Sequence, residues 1–308
     1  MQSVRFADKL LPVRTSPAAL LLLAVLGCAK APPPPPEEAA PPPRSPLARA
    51  ALAEWEAWGR PTIIGWQLDR PRDTAATPAR FERLVAYWEA IPGGGQVALR
   101  HWQLRVALRG ELPDALAPAE DPVRPVMTVA TGWEDIELYA NPAWSAAFIS
   151  AIARQAGIPY SDLPSTSRHA RYIDAALARW RTDPEDAAFE PHAPEEFAPR
   201  PGDLVCADRS AEPLAHWTMR YVSAGRPRPM HCDVVVRTSP GAVEMIGGNV
   251  QDLVTLRRLP ADDLGRVLPP PPDFPPFVLI LAEREGRPVM PILPMERLAP
   301  EPETELGE

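Results

Sequence analysis

PMHCDVVVRTSPGAVEMIGGNV, residues 229–250, is the stretch that decides the fold. Its first half alternates and is rich in β-branched residues. Its second half, AVEMIGGNV at 242–250, runs into a Gly247-Gly248 stop, and both halves predict strands. Alternation puts His231, Asp233 and Val235 on one face of the first strand and Cys232 and Val234 on the other. Working outward, PRPGDLVCAD (199–208) predicts a turn and a short strand, with Asp203 as a turn residue. DLVTLRRLP (252–260) and PFVLILAERE (276–285) predict two more strands.

Upstream the period is helical. LARAALAEWEAWG (47–59) sets Leu47, Ala51, Leu52, Trp55 and Trp58 on one face and ends at Gly59. PARFERLVAYWEAI (78–91) repeats the pattern with Phe81, Leu84, Val85, Trp88 and Ile91. This spacing assigns Trp55, Trp58 and Trp88 to a core rather than to sugar stacking. NPAWSAAFISAIARQAG (141–157) predicts a helix over about 142–156, with Asn141 as N-cap, Pro142 in the first turn and Gly157-Ile158-Pro159 as the stop. RHARYIDAALARWR (168–181) predicts another, with Tyr172, Ile173, Ala176, Leu177 and Trp180 inward and Ser165 or Ser167 as cap. Helices first and an antiparallel meander second give an α+β class.

The chain ends carry different information. Arg5, Lys9 and Arg14 precede an apolar run, Ala18 to Leu26, that is too short to span a bilayer. Val25-Leu26-Gly27-Cys28 resembles a bacterial lipobox. That resemblance implies a signal peptide over 1–28 and lipidation of Cys28; Ala29, where retained lipoproteins carry Asp, implies the periplasmic side of the outer membrane. Residues 29–46, mostly PPPPPEEAAPPPRSP, predict an extended tether. A lead-in region (47–125), an α+β domain (126–285) and a Pro- and Glu-rich flexible tail (286–308) complete the chain.

Net charge is −8 with no basic stripe, which argues against a nucleic-acid partner. The three cysteines are Cys28, Cys206 and Cys232. In an exported chain the last two are either a disulfide, if their strands pair in register, or two buried thiols. No CxxC, no HExxH and five scattered histidines predict no metal site, and no motif predicts a cofactor.

Four pieces line up: Trp144-Ser145-Ala146-Ala147-Phe148 at a helix start, Pro201-Gly202-Asp203-Leu204-Val205, His231-Cys232-Asp233-Val234-Val235, and Asn249. Their order resembles the papain-like amidases of the NlpC and CHAP type. There a cysteine at a helix N-terminus is the nucleophile, a strand histidine the base and a polar residue the orienter. A nearer resemblance covers about 47–285: WSAAFIS, Ser-x-x-x-His with a Tyr-Ile pair, PGDLVC, HCDVVV and IGGNV look like the bacterial domain of unknown function 2272, placed in the same clan. The resemblance implies a papain-like fold with helices on an antiparallel sheet or partial barrel, and no established activity.

Carried over residue by residue, it makes Ser145 the nucleophile in the place of the family cysteine, His231 the general base and Asn249 the orienter. Trp144, His169 and Asp233 are possible neighbours. A serine needs a base during attack, because an alkoxide does not form beforehand. Asp233 is expected to make poor contact with His231, since i and i+2 side chains on a strand run parallel. Each residue also has a plain structural use: Ser145 as a helix-start hydroxyl bonded to backbone, Asn249 as a turn residue after Gly-Gly, His169 as a hydrogen-bonded core histidine.

Three functions fit these residues. One is a lipid-anchored periplasmic amidase or peptidase acting on peptidoglycan peptides. The second is a non-catalytic module on the same fold that binds cell-wall peptides or an envelope protein. The third is a structural lipoprotein. Membrane contact is through the lipid anchor alone in all three.

Overall fold

The meander predicted for 199–285 is the spine of the structure, a computed structural model that describes residues 41–67, 78–97, 99 and 142–284. The expected signal segment with Cys28, the expected tether to residue 40, residues 100–141 with Asn141, and the expected tail from 285 lie outside the described residues, as does the Phe81 side chain. All the helices and strands of the described residues fall in one unit, Pro42–Glu308.

In chain order the elements are α1 (Pro46–Ala57), β1 (Thr62–Ile64), α2 (Pro78–Glu89), α3 (Ser145–Gln155), α4 (His169–Thr182), β2 (Phe189–His192), β3 (Leu204–Asp208), α5 (Met219–Val222), β4 (Met230–Ser239), β5 (Ala242–Val250), β6 (Leu253–Pro260) and β7 (Phe277–Glu283). The strands form one seven-stranded sheet in the order β1-β6-β5-β4-β3-β7-β2. All pairs are antiparallel except β1 with β6. The class is α+β, as the change of period predicted.

The first seven residues of β4 are all buried. Cys232, Val234 and Val236 join the large cluster that contains the helices, while Val235 joins a second cluster with Val205, Val243, Met245, Leu259 and Ile280. Both faces of the sheet are therefore covered. Trp66, beside Phe274 and Phe277 at 5.5 and 5.8 Å, closes over the second cluster.

Helix α3 is buried from Ser145 through Ala153, all the way round. Such a helix belongs at the centre of a fold, and α3 lies against β4, β5, α1 and α2. It starts three residues later than the Asn141-Pro142 signal predicts. Trp144 is the cap residue, with no side-chain cap bond, and it is wholly buried, stacked at 5.3 Å on Trp58 and 5.7 Å on Tyr87. Aromatic packing, and not local capping, fixes where this helix begins. Trp58 and Trp88 are core residues as their spacing predicted, and Trp55 is half-buried, donating to the Pro61 carbonyl at 2.8 Å. Tyr87 accepts from Trp58 Nε1 (2.9 Å) and donates to the buried Glu54 (2.5 Å), which Arg83 neutralises (2.9 Å).

Cys206 and Cys232 face each other directly across β3 and β4 and form a disulfide, Cα to Cα 4.0 Å. Both are fully buried. Asp203 closes the 200–203 turn by accepting from Arg200 N (2.7 Å), and its second oxygen accepts from Glu283 N (2.8 Å), tying that turn to β7.

The disulfide closes a loop of 26 residues. Chain-entropy reasoning then predicts that the Cys206→Ala/Cys232→Ala variant loses about 3.5 kcal/mol, read as a lower urea midpoint, with a larger m-value because the unfolded chain is freer to expand.

Candidate functional site

The site forms where the start of α3 meets the start of α4. Ser145 is the first residue of α3. The backbone N–H groups of a first turn have no intrahelical partner; among the described residues no side chain caps them, and no acidic residue lies in the turn. That end of the helix is a locus for negative charge.

One turn further along, Ser150 ties the approaching loop to α3. Its single hydroxyl proton is shared between the carbonyls of Ala146 (2.8 Å) and Thr166 (3.1 Å), and its oxygen accepts from Thr166 N (3.0 Å). This fixes the loop three residues before His169, the first residue of α4. Neither Ser165 nor Ser167 caps α4: Arg168 is the cap residue, without a side-chain cap bond, and its N–H donates to Thr166 Oγ1 at 3.3 Å.

Two hydrogen-bonded chains result. In the first, Ser145 Oγ lies 2.6 Å from His169 Nε2, and His169 Nδ1 lies 2.5 Å from Tyr172 Oη. Either imidazole tautomer satisfies this chain: a proton on Nδ1 is given to Tyr172 and leaves Nε2 to accept from Ser145. In the second, His231 Nε2 donates to Asp233 Oδ1 at 2.9 Å, and Arg257 donates to Asp233 Oδ2. The two imidazole centroids are 5.2 Å apart, tilted by 53°.

The expected Ser145–His231–Asn249 relay is therefore not the one that forms. Ser145 meets His169, the histidine left open between site and core. His231 meets Asp233, the contact expected to be poor. Both side chains leave the same face of β4, and the imidazole is long enough to reach along it to the i+2 carboxylate. Asn249 sits at φ 57°, in the left-handed region that asparagine tolerates, where β5 leaves its register with β6. The backbone thus shows the turn use of Asn249. Its Oδ1 and His231 Nδ1 are buried without a hydrogen-bond partner among the described residues. Trp144 is the aromatic wedge behind Ser145 rather than a surface of the site.

The glycine pair before Asn249 answers to close approach. A Cβ on Gly247 would run into the Asp233 carboxylate, and one on Gly248 would meet Phe148 Cβ at 2.5 Å.

The electrostatics separate the two chains. Burial first, and then the neighbouring His231, hold the His169 imidazole well below its ordinary value of 6.5; Asp233 opposes this and Arg209 adds to it. His169 is neutral in ordinary buffers. Burial would raise the Asp233 carboxyl, but Arg257 and His231 outweigh it and keep the group well below the carboxylate range. Burial, followed by the Asp233 charge, pushes the Tyr172 phenol up. A neutral base beside a hydroxyl, next to a fixed buried anion, is the result. Ser145 is 9% exposed, His169 5% and His231 7%, so the cluster meets solvent only at its edge.

A family model described as "Uncharacterized protein conserved in bacteria (DUF2272)" matches residues 125–289, more than half of the chain. The chain belongs to this family. Comparison with curated proteins gave no match, and neither did comparison with solved structures. The matched segment holds both hydrogen-bonded chains of this DUF2272 protein, while α1, β1 and α2 precede it. Among the described residues no group of three or more His, Cys, Asp or Glu side chains is arranged to hold a metal ion, and no helix is long and apolar enough to cross a membrane.

Sequence reasoning missed Tyr172, Ser150 and Arg257 as site residues. Tyr172 had a usable signal, since i and i+3 positions on a helix are neighbours. Arg257 had none: its reach to Asp233 depends on a strand register two strands away.

Ser150→Ala is expected to leave Thr166 N unpaired in the interior and to cost about 1–3 kcal/mol, measurable by urea unfolding. A pH effect is expected at His169. The unfolded chain takes up a proton there near pH 6.5 while the folded chain does not. The resulting stability is complete above that pH and is lost as pH falls toward the depressed folded value. Between pH 7.5 and 5 the wild type is expected to lose more unfolding free energy than His169→Gln.

Proposed function

We propose that this DUF2272 protein is a lipid-anchored periplasmic hydrolase of papain-like build that cleaves amide bonds in cell-wall peptides, with Ser145 as nucleophile and His169, not His231, as base. The observation that carries this reading is the 2.6 Å contact between Ser145 Oγ and His169 Nε2 at an uncapped helix N-terminus.

The chemistry follows from those positions. Ser145 Oγ attacks the substrate carbonyl as its proton passes to His169 Nε2, with His169 Nδ1–H directed at Tyr172 Oη. The oxyanion is stabilised by the free N–H groups of the first turn of α3. His169 then gives its proton to the leaving amine, and the C–N bond breaks to leave an acyl-serine. Water, deprotonated by the same imidazole, releases the acid and restores the hydroxyl. The transient imidazolium is favoured by the Asp233 charge, the one nearby group that raises the His169 pKa. His231 and Arg257 hold that anion in place.

A second reading is a non-catalytic module that binds cell-wall peptides or an envelope protein. The near-complete burial of Ser145 and His169 favours it.

Treating the purified protein with a serine-directed fluorophosphonate and with muropeptides separates the two. The hydrolase reading expects labelling and turnover that fall at least about 100-fold in Ser145→Ala and His169→Gln, with a smaller loss in His231→Gln. Because a neutral base is the active form, the acid limb of kcat/KM is expected below the ordinary histidine value of 6.5. Absence of labelling and turnover, with peptide binding retained, would leave the module.

A further inference from the structure

The outer face of α4 carries a second feature that the Ser145–His169 chain does not use. Between the start of α4 and the 225–229 segment lies a cleft of about 560 Å³. Its walls include Arg168 and Arg171 from α4 and Arg226 and Arg228 from the facing segment. Five arginines, Arg220 included, line it in a chain whose net charge is −8.

Two of the lining arginines are committed. Arg220 is 2% exposed and makes a bidentate pair with Asp174 at 2.6 and 2.7 Å. It also donates to the carbonyls of Ser223 (3.0 Å) and Arg226 (2.9 Å) and so anchors the facing segment. Arg228 pairs with Asp208 at 2.5 Å and donates to Ser210 Oγ at 2.6 Å. Arg168, Arg171 and Arg226 are exposed and have no ion pair among the described residues. Asp174, the acidic residue of the lining, is taken up by Arg220 and by Gly225 N (2.8 Å). The cleft thus holds three uncompensated positive charges on a framework that is itself pinned.

The donor set is made mostly of side chains. A phosphate cradle uses convergent backbone N–H groups. In the facing segment Gly225 N is taken by Asp174, Arg226 N donates to Ser223 O at 3.1 Å, and Pro227 and Pro229 have no N–H, so four of its five positions offer no amide. The prevailing donors are guanidinium forks, which match carboxylates and phosphates in a bidentate fashion, above an apolar floor of Ala170, Pro227 and Pro229. Arg168 and Arg171 stand three residues apart at the start of one helix, within neighbour distance. That spacing suits two carboxylates on a short apolar frame.

We infer that this cleft binds the side-chain or terminal carboxylates of an acidic peptide. Resting on the hydrolase reading above, that peptide is the substrate. Arg168 and Ala170, which line the cleft, flank His169 in the chain.

The test uses the full chain carrying Ser145→Ala, so that binding is read apart from turnover. Isothermal titration compares acetyl-Glu-Glu-amide, its neutral twin acetyl-Gln-Gln-amide, and inorganic phosphate. The expected result is binding of the acidic peptide at least about 10-fold tighter than of either other probe, as charge-assisted bidentate pairing allows. That preference should be lost in Arg168→Gln/Arg171→Gln, whose exposed side chains leave the melting temperature unchanged. Equal binding of the two peptides, an acidic-peptide affinity untouched by the double variant, or phosphate binding as tightly as the peptide would each overturn the inference. Charge-dependent binding without turnover by the Ser145 chain would support the cleft and remove the hydrolase reading. Turnover with a KM indifferent to both arginines would do the reverse.

Discussion

The burial of Trp144 is the constraint on which the rest depends. A side chain of that size, stacked between Trp58 and Tyr87, can occupy one place only. It sets the first residue of α3, and the first residue of α3 is Ser145. Were the helix to begin one residue earlier or later, the serine hydroxyl would turn by about 100° about the axis and leave His169. The aromatic wedge is held in turn by polar contacts behind it, Trp58 to Tyr87 to Glu54 to Arg83. An ion pair remote from the hydroxyl therefore contributes to its direction.

From that fixed point the two histidines divide the labour of a polar interior. A buried carboxylate must be compensated, and Asp233 takes Arg257 on one oxygen and His231 on the other. This leaves His169 without a counter-charge of its own in hydrogen-bond reach, neutral and facing the hydroxyl. The glycines at 247 and 248 let the strand approach close enough to seat both the carboxylate and Phe148. The dyad and the sheet are thus parts of one packing solution.

Much of this was legible in the residues. The strands over 230–260 and 277–283 fall within a residue or two of their predicted limits, because alternation and β-branching leave few other uses for such runs. The start of α3 was misplaced because Asn141 and Pro142 are strong local signals that a distant aromatic stack overrides. The hydrogen-bond partner of Ser145 is His169 and not the expected His231, because His231 sits in a strand that looks like a site, whereas His169 heads a helix that reads equally well as core. Three short elements went unread: β1 spans 3 residues, β2 spans 4 and α5 spans 4, too few for any period to show.

The smallest of these has a consequence for solubility. Residues 62–64 pair with 256–258 and occupy one border of the sheet, while the other border is 189–192, interrupted by Pro191. Unpaired strand borders invite association with other molecules, and brevity and proline are natural defences against it. The shield over residues 256–258 comes from a part of the chain that precedes the family-matched region. A fragment trimmed to that region would lose the shield, and its uncovered backbone donors and acceptors would be a template for intermolecular aggregation.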